Sequence, residues 1–436
     1  MQTPLTLGKT DSTLGLGNIS VLDAATLPRH RWYHIKEAFS PNVVSRAIED
    51  SNCVKDDLII DPFCGSGTVP LTAAIEGFSS IAFEVNPFLK FVSETKLLQC
   101  KSKTIKKNCN DILFKAKKGK DSSLEAFSTF SEAGKSPKWL FNREVLRSFE
   151  GGWEATLNKR KPVQKLIQLC LIGAVMDVAN ATKDGKCLRY RSDWKSQNFG
   201  KKDFINAFNR RIDIIIKDLE DCPIETKDVF VSMLDSRRMQ SSNLRDKKFK
   251  LCVMSPPYLN SFDYTDVYRP ELFLGKFINS GQELRELRQK TLRSHVQAKW
   301  VDPEQVDFGP NFTESFEQIK ERSETLWNKR LPLMIQAYFE DIKQVLIDLK
   351  ALSKPDANIW IVVSTSAYAG VEIPVDLIIA DIGTQAGWWL REVSVIRHLR
   401  RVPVQQWALL NEEKKNGPYL RESIIIFEKS LLSKND

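Results

Sequence analysis

The sequence is poor in the residues that build metal centres and disulfide frameworks. It holds 4 histidines and 8 cysteines in 436 residues. Cys53, Cys64, Cys100, Cys109, Cys170, Cys187, Cys222 and Cys252 are scattered, with no C-x-x-C pair, which argues against a zinc site. His30 and His34 lie close together, but no carboxylate or cysteine stands at a useful ligand spacing, so no metal is expected. Several cysteines fall in apolar runs, as reduced thiols of a cytosolic protein do. No apolar run reaches the length of a membrane span, and the N-terminus lacks a charged-then-apolar signal pattern. No internal repeat and no low-complexity segment is present. A soluble, cytoplasmic, membrane-independent protein is expected.

Length and charge bound the rest. The chain suffices for one large α/β domain with an insertion, or for two domains. Its 42% hydrophobic and 27% charged residues are those of an ordinary globular protein. The net charge of +9 and pI of about 9.0 favour an acidic partner. Nucleic acid fits better than a membrane surface, because no helix is both basic and amphipathic with a free apolar face.

The chain is organised around Asp61-Pro62-Phe63-Cys64-Gly65-Ser66-Gly67-Thr68. The apolar run Leu58-Ile59-Ile60 leads in, and a helix is expected from Thr68 to about residue 76. Strand, glycine turn and helix in that order can bring a ligand close to backbone and to free N–H groups at a helix start. The same turn also serves plain packing, and both readings stay open on the turn alone. Ser80 to Phe83 reads as a second strand, closed by Glu84-Val85-Asn86-Pro87. An acid about 20 residues past a glycine turn is where nucleotide-binding α/β folds hold ribose hydroxyls. A solvated loop carboxylate is the plainer alternative for Glu84.

Before the turn, Ser40 can cap a helix starting at Pro41. Residues 1–25 read as a loose arm. Residues 101–120 carry eight lysines against one aspartate, either a solvated face or phosphate contacts. From Trp139 to about Glu220 the pattern is helical, with Phe204, Phe208, Ile212, Ile215 and Leu219 in one stripe. A basic, aromatic loop over 186–202 includes Arg189, Tyr190, Arg191 and Trp194. Val229-Phe230-Val231 is a third strand, followed by Asp235. Phe249 to Met254 is a fourth, stopped by Ser255-Pro256-Pro257-Tyr258, since consecutive prolines cannot continue a central ladder. Lys354-Pro355-Asp356 is read as a turn into strand 359–363. A helix from Pro374 and strands near 393–396 and 423–427 complete an alternating pattern, which implies a mostly parallel sheet covered by helices.

The glycine turn and Ser-Pro-Pro-Tyr together resemble the amino-directed DNA methyltransferases, and most closely their cytosine-N4 members. Adenine-N6 enzymes more often carry Asp or Asn in place of Ser255. The resemblance covers most of the chain. Phe39 and Pro41 match the segment before the cofactor loop. Asp61, Pro62, Phe63, Gly65, Gly67 and Thr68 match that loop. Glu84 and Asn86 match the ribose-binding stretch, and Asp235 matches the acid that meets the adenine ring's amino group. Val363 to Ser366, Gly370 to Pro374 and Arg421 to Ser423 resemble later strand ends. Trp139-Leu140-Phe141 and Arg269-Pro270-Glu271-Leu272 resemble further stretches.

The resemblance implies an S-adenosylmethionine-dependent methyltransferase fold with seven strands, one reversed, and helices on both faces. It implies S-adenosyl-L-methionine as cofactor and double-stranded DNA as partner. It also implies a bacterial or archaeal restriction–modification system whose cognate endonuclease is functionally linked. In this setting Ser255 and the Pro256 carbonyl would accept from the target amine, Pro257 would stiffen the loop, and Tyr258 would stack on a flipped base. No cysteine follows Pro256-Pro257, as a carbon-5 enzyme would demand. The implied division is a catalytic domain over 1–99 and 226–436 with a helical basic insertion over 100–225. Residues 276–335 and 100–225 are the candidate target-recognition regions. Adenine-N6 or RNA amine methylation, and a non-catalytic nucleic-acid binder on the same fold, are the competing readings.

Overall fold

Short apolar runs bounded by turn residues become the strands of one twisted sheet. The computed structural model describes residues 22–184, 187–224, 228–241, 247–399 and 420–429. The arm expected over 1–25 lies, up to residue 21, outside the described residues. The strands are β1 (Leu58–Asp61), β2 (Ser79–Phe83), β3 (Val229–Ser232), β4 (Phe249–Met254), β5 (Ser353–Ser364), β6 (Trp389–His398) and β7 (Arg421–Glu428). Their order across the sheet is β3-β2-β1-β4-β5-β7-β6. β1 runs parallel to β2 and β4, whereas β7 is antiparallel to both β5 and β6. The expected single reversed strand is therefore β7.

Strand interiors are apolar on consecutive residues because both faces of the sheet are covered. In β5, Ile359, Ile361 and Val363 pack with Tyr338, Ile342 and Leu346 of one face. The alternate residues Trp360 and Val362 pack with Val43, Ala47, Val69 and Ala73 of the other. Helices α1 (Pro41–Asp50) and α2 (Thr68–Ile75) supply the latter face. As expected, the Ser40 side chain accepts from the Asn42 N–H at the start of α1.

A second core lies beside this sheet. Helices α3 (Pro87–Lys96), α4 (Ser102–Lys118), α5 (Arg143–Thr156), α6 (Lys161–Asp177) and α7 (Lys201–Asp221) share it with Trp32, Tyr33 and residues between 262 and 287. The stripe Phe204, Phe208, Ile212, Ile215 and Leu219 faces into it. In α4 the apolar residues Ile105, Cys109, Ile112 and Ala116 are buried, while all eight lysines of 101–120 are exposed. Further along, α8 (Leu331–Leu352) and α9 (Val375–Gln385) cover the first sheet face.

Two local expectations are corrected. The stretch 139–220 is not helical throughout: Ala181–Asp184 and Cys187–Tyr190 pair as an antiparallel hairpin. Its cross-strand partners satisfy backbone groups that the short polar segment could not satisfy in a helix. The strand of 359–363 also begins earlier, at Ser353, with a register shift against β4 between Phe249 and Leu251. Such an irregularity accommodates Pro355 inside a strand, where its missing N–H would otherwise interrupt the ladder.

Candidate active site

The strand order reverses between β1 and β4, and in open α/β sheets the crevice at such a point takes ligands. Both loops singled out in the sequence leave from the carboxyl ends of these strands. They line one cavity of about 420 Å³, within the range that takes a cofactor-sized molecule. Of the predicted residues, Phe39, Pro62, Phe63, Gly65, Thr68, Glu84, Asn86, Asp235, Ser255, Pro256, Pro257 and Tyr258 line it. Pro41, Asp61 and Gly67 stand behind the wall.

The glycine turn divides its work between its two glycines. Gly65 has φ +51, and a Cβ there would meet only the Phe63 carbonyl oxygen, at an ordinary contact distance of 3.9 Å. Gly67 is the residue before α2, with φ 87, and a Cβ there would overlap Ser93 of α3. Gly67 thus meets the packing requirement, and Gly65 is the glycine at the cavity. The Cys64 N–H donates to the Phe83 carbonyl at 2.9 Å, closing the turn onto the tip of β2.

Glu84 joins that tip to the turn. Its Oε2 accepts from the Gly65 N–H and its Oε1 from the Asn86 N–H, both at 2.8 Å. Burial pushes the Glu84 carboxyl up to about 7, against the downward pull of these donors. Behind it, Asp61 is pushed to about 8 by burial, with the nearby Glu84 charge adding to the rise and the Phe63 N–H opposing it. The Asn86 side-chain oxygen caps α3 by accepting from Phe88 N–H at 3.0 Å. Its Nδ2 is buried without a partner at a position that lines the cavity. An unpaired buried amide is costly unless a ligand completes it. Glu84 acceptors and the Asn86 donor therefore fit the ribose and adenine of S-adenosylmethionine. Asp235 meets the cavity as a carboxylate clasped by Arg237, at 2.9 and 2.7 Å.

The loop that begins at Ser255 is held from two sides. Ser366 and Tyr368 both donate to the Leu259 carbonyl, the latter at 3.2 Å. The Tyr258 hydroxyl donates to Glu422 Oε1 of β7 at 2.7 Å. Burial, then the Glu422 charge, raise the Tyr258 hydroxyl well above its usual range.

Several lining residues escaped the sequence reading. Asn260, Phe262, Tyr264 and Tyr268 follow Ser255-Pro256-Pro257-Tyr258, and Thr291 and His295 come from the segment around 290–295. The aromatic pair Phe262 and Tyr264 a few residues beyond Pro256-Pro257 was a usable signal; the others lie in irregular chain without periodicity. His295 is buried, its Nε2 3.3 Å from the Thr291 hydroxyl, and burial lowers its pKa. The candidate segment 276–335 divides between the two cores, Leu284 and Leu287 in the helical one and Phe308 to Leu331 in the sheet one.

The basic aromatic loop over 186–202 is largely committed to the fold. Trp194 is buried edge-on to Trp139, with ring centroids 4.9 Å apart. Arg191 donates to the Ala179 carbonyl at 2.9 Å. Arg189 pairs with Asp184 and stays exposed. Glu271 is buried, accepting from the Tyr33 hydroxyl at 2.5 Å and from Lys183, so the 269–272 stretch is tied to Tyr33 of the helical core and to the 181–190 hairpin.

Sheet order, the reversed β7 and the paired loops define an S-adenosylmethionine-dependent methyltransferase. The UPF0020 family, described as an RMKL-like methyltransferase domain, matches residues 29–125. The chain is similar to the Type II methyltransferase M.BsoBI of Geobacillus stearothermophilus, 26% identical over 92% of this chain and 85% of that one. It is also similar to the Type II methyltransferase M.AvaI of Nostoc sp., 24% identical over 85% and 81%. Among solved structures, the rRNA methyltransferase AviRa of Streptomyces viridochromogenes is 10% identical over 90% of this chain and 86% of that chain, with a TM-score of 0.29. Among the described residues, no helix is long and apolar enough to cross a membrane.

Proposed function

We propose that the chain methylates the N4 amine of cytosine in duplex DNA, as the modification enzyme of a restriction–modification system. The observation that carries this reading is Ser255-Pro256-Pro257-Tyr258 lining the same cavity as Gly65, Glu84 and Asn86. The names of the two Type II relatives and the net charge of +9 favour DNA as the acidic partner.

A cytosine amine is a poor nucleophile because its lone pair is delocalised into the ring. Acceptors on its N–H bonds draw the nitrogen towards tetrahedral geometry. Ser255 Oγ and the Pro256 carbonyl are the acceptors on offer, and proline stiffness fixes them before the substrate arrives. Tyr258 supplies a ring face for the base, which must leave the duplex to reach the cavity. When bound, S-adenosylmethionine supplies a methyl group on a sulfonium. Glu84 and Asn86 hold its nucleoside and so align donor and acceptor, which contributes much of the acceleration.

Incubation with labelled cofactor and genomic DNA, then nucleoside analysis, tests the reading. N4-methylcytosine is expected. N6-methyladenine alone, or label only in RNA, would move the activity to another amine. Absence of calorimetric cofactor binding would leave a nucleic-acid binder without catalysis.

A further inference from the structure

The hairpin of 181–190 is fixed to the rim of the cavity and turns one face to solvent. We propose that this ribbon reads sequence in the major groove of duplex DNA beside the flipped base, with Arg189 contacting a guanine. This rests on duplex DNA being the substrate, as proposed above.

Its position follows from what holds it. Lys36 is exposed and lines the cavity, so it marks the rim. Its Nζ donates to the Lys183 carbonyl of the ribbon at 2.9 Å. Tyr268 is a second wall residue, and Lys183 Nζ lies 3.7 Å from the centre of its ring. The Tyr268 hydroxyl donates to Glu37, also in the wall, at 2.9 Å, and Glu271 accepts from Lys183. A base that swings out of a duplex into this cavity leaves its neighbouring base pairs at that rim.

Register sorts the side chains. Ala181 pairs with Tyr190, Thr182 with Arg189 and Lys183 with Leu188, and directly opposed residues share a face. Ala181 is buried, and Leu188 and Tyr190 pack on the helical core. Thr182 and Arg189 share the other face; Thr182 is exposed, and the Arg189 side chain is 73% exposed. Burial alternates here although hydropathy does not, because the inward Lys183 is charged and held by Glu271. Asp184, diagonal to Arg189 on the outer face, holds the guanidinium at 2.6 Å. An ion pair this exposed adds little stability, but it restrains the guanidinium and leaves its other donors to solvent.

Size and charge name the partner. The two strands have 4 residues each, a span of about 13 Å, and a major groove about 12 Å wide admits a two-stranded ribbon. Residues 181–202 carry seven lysines and arginines against two aspartates. Beside the ribbon, the exposed Lys138 lies 5.5 Å from the Tyr190 ring centre and the exposed Lys195 lies 5.8 Å from that of Trp194. An arginine on the outer face offers paired N–H donors that match O6 and N7 of guanine.

Arg189→Ala in the full chain tests the ribbon. Methylated bases are mapped by sequencing genomic DNA treated with wild type or variant. Wild type should require guanine at one position near the methylated base, and the variant should lose about 5- to 150-fold of that discrimination with other positions unchanged. The calorimetric cofactor Kd should stay within about twofold of wild type, as expected of a separate site. Unchanged site preference with uniformly weaker binding, and a slope of log affinity against log salt lowered by about 0.9, would make Arg189 a phosphate contact and overturn the reading role. Unchanged preference and affinity would return Arg189 to solvent, and a parallel fall in cofactor affinity would make its role structural; either result overturns the proposal. Wild type that methylates no DNA would instead sink the underlying reading, and the ribbon with it.

Discussion

At the scale of single residues, the site sets protonation through burial and hydrogen-bond direction. Ser255→Ala removes an acceptor for the amine without touching the cofactor wall. Turnover should fall by about 100-fold or more with cofactor affinity nearly unchanged by calorimetry; intact turnover would remove Ser255 from the amine's partners. Glu84 gives a pH signature. Its folded pKa of about 7 lies above the ordinary carboxylate value because of burial. Protonation is therefore favoured by folding: this contribution to stability is fully present below about 4.5 and is lost as pH rises through about 7. Cofactor binding runs the other way, since ribose hydroxyls need the ionised acceptor. Affinity should rise with pH through about 7 and then level off, and Glu84→Gln should abolish that dependence, both read by calorimetry across pH 5.5–8.5, a span of roughly 1.5 units either side. A flat wild-type profile would show that Glu84 does not titrate against the ligand.

At the scale of elements, a few contacts join pieces far apart in sequence. Gly67 is where α2 starts against α3. Gly67→Ala combines a steric overlap with Ser93 and a positive φ, and should cost about 2–4 kcal/mol in denaturant unfolding. Adding Ser93→Gly should recover the steric part and leave about 1 kcal/mol from the backbone. No recovery in the double variant would mean that overlap with Ser93 is not the cause. Asp218 of α7 has a fully buried side chain. It accepts from Arg29 N–H at 2.8 Å, from the Arg31 guanidinium and from Trp32 Nε1 at 2.9 Å. Asp218→Ala strands these donors and should destabilise by about 3–5 kcal/mol. A loss under about 1 kcal/mol would show that the segment has other anchors.

At the scale of the molecule, the helical block and the sheet each have a core, and the sequence told these apart unequally. Strands such as Ile359 to Val363 were legible because burial on both faces removes polar residues. The two site loops were legible because glycines and paired prolines mark chain geometry wherever they stand. The 181–190 hairpin was not, since Lys183, Asp184 and Arg189 carry no strand alternation. Nor was the Tyr258–Glu422 contact, which spans 164 residues and joins two segments without shared periodicity. The eight lysines of 101–120 were read as either solvated or phosphate-binding, and their exposure permits both. Lys103→Ala, Lys106→Ala and Lys107→Ala together separate the two. If α4 touches DNA, the slope of log affinity against log salt should fall by about 0.9 for each phosphate that the variant no longer neutralises. An unchanged slope would assign these lysines to solvent.

The reversed strand also sets a schedule. Glu422 is made 164 residues after Tyr258, so at about 5–20 residues per second a growing chain carries Tyr258 for roughly 8–30 s before that partner exists. The cofactor loop and Glu84 precede both. During synthesis the molecule thus acquires the glycine-turn wall of its cavity first and the anchor of Tyr258 last, and the cavity is completed by one of the last strands to join the sheet.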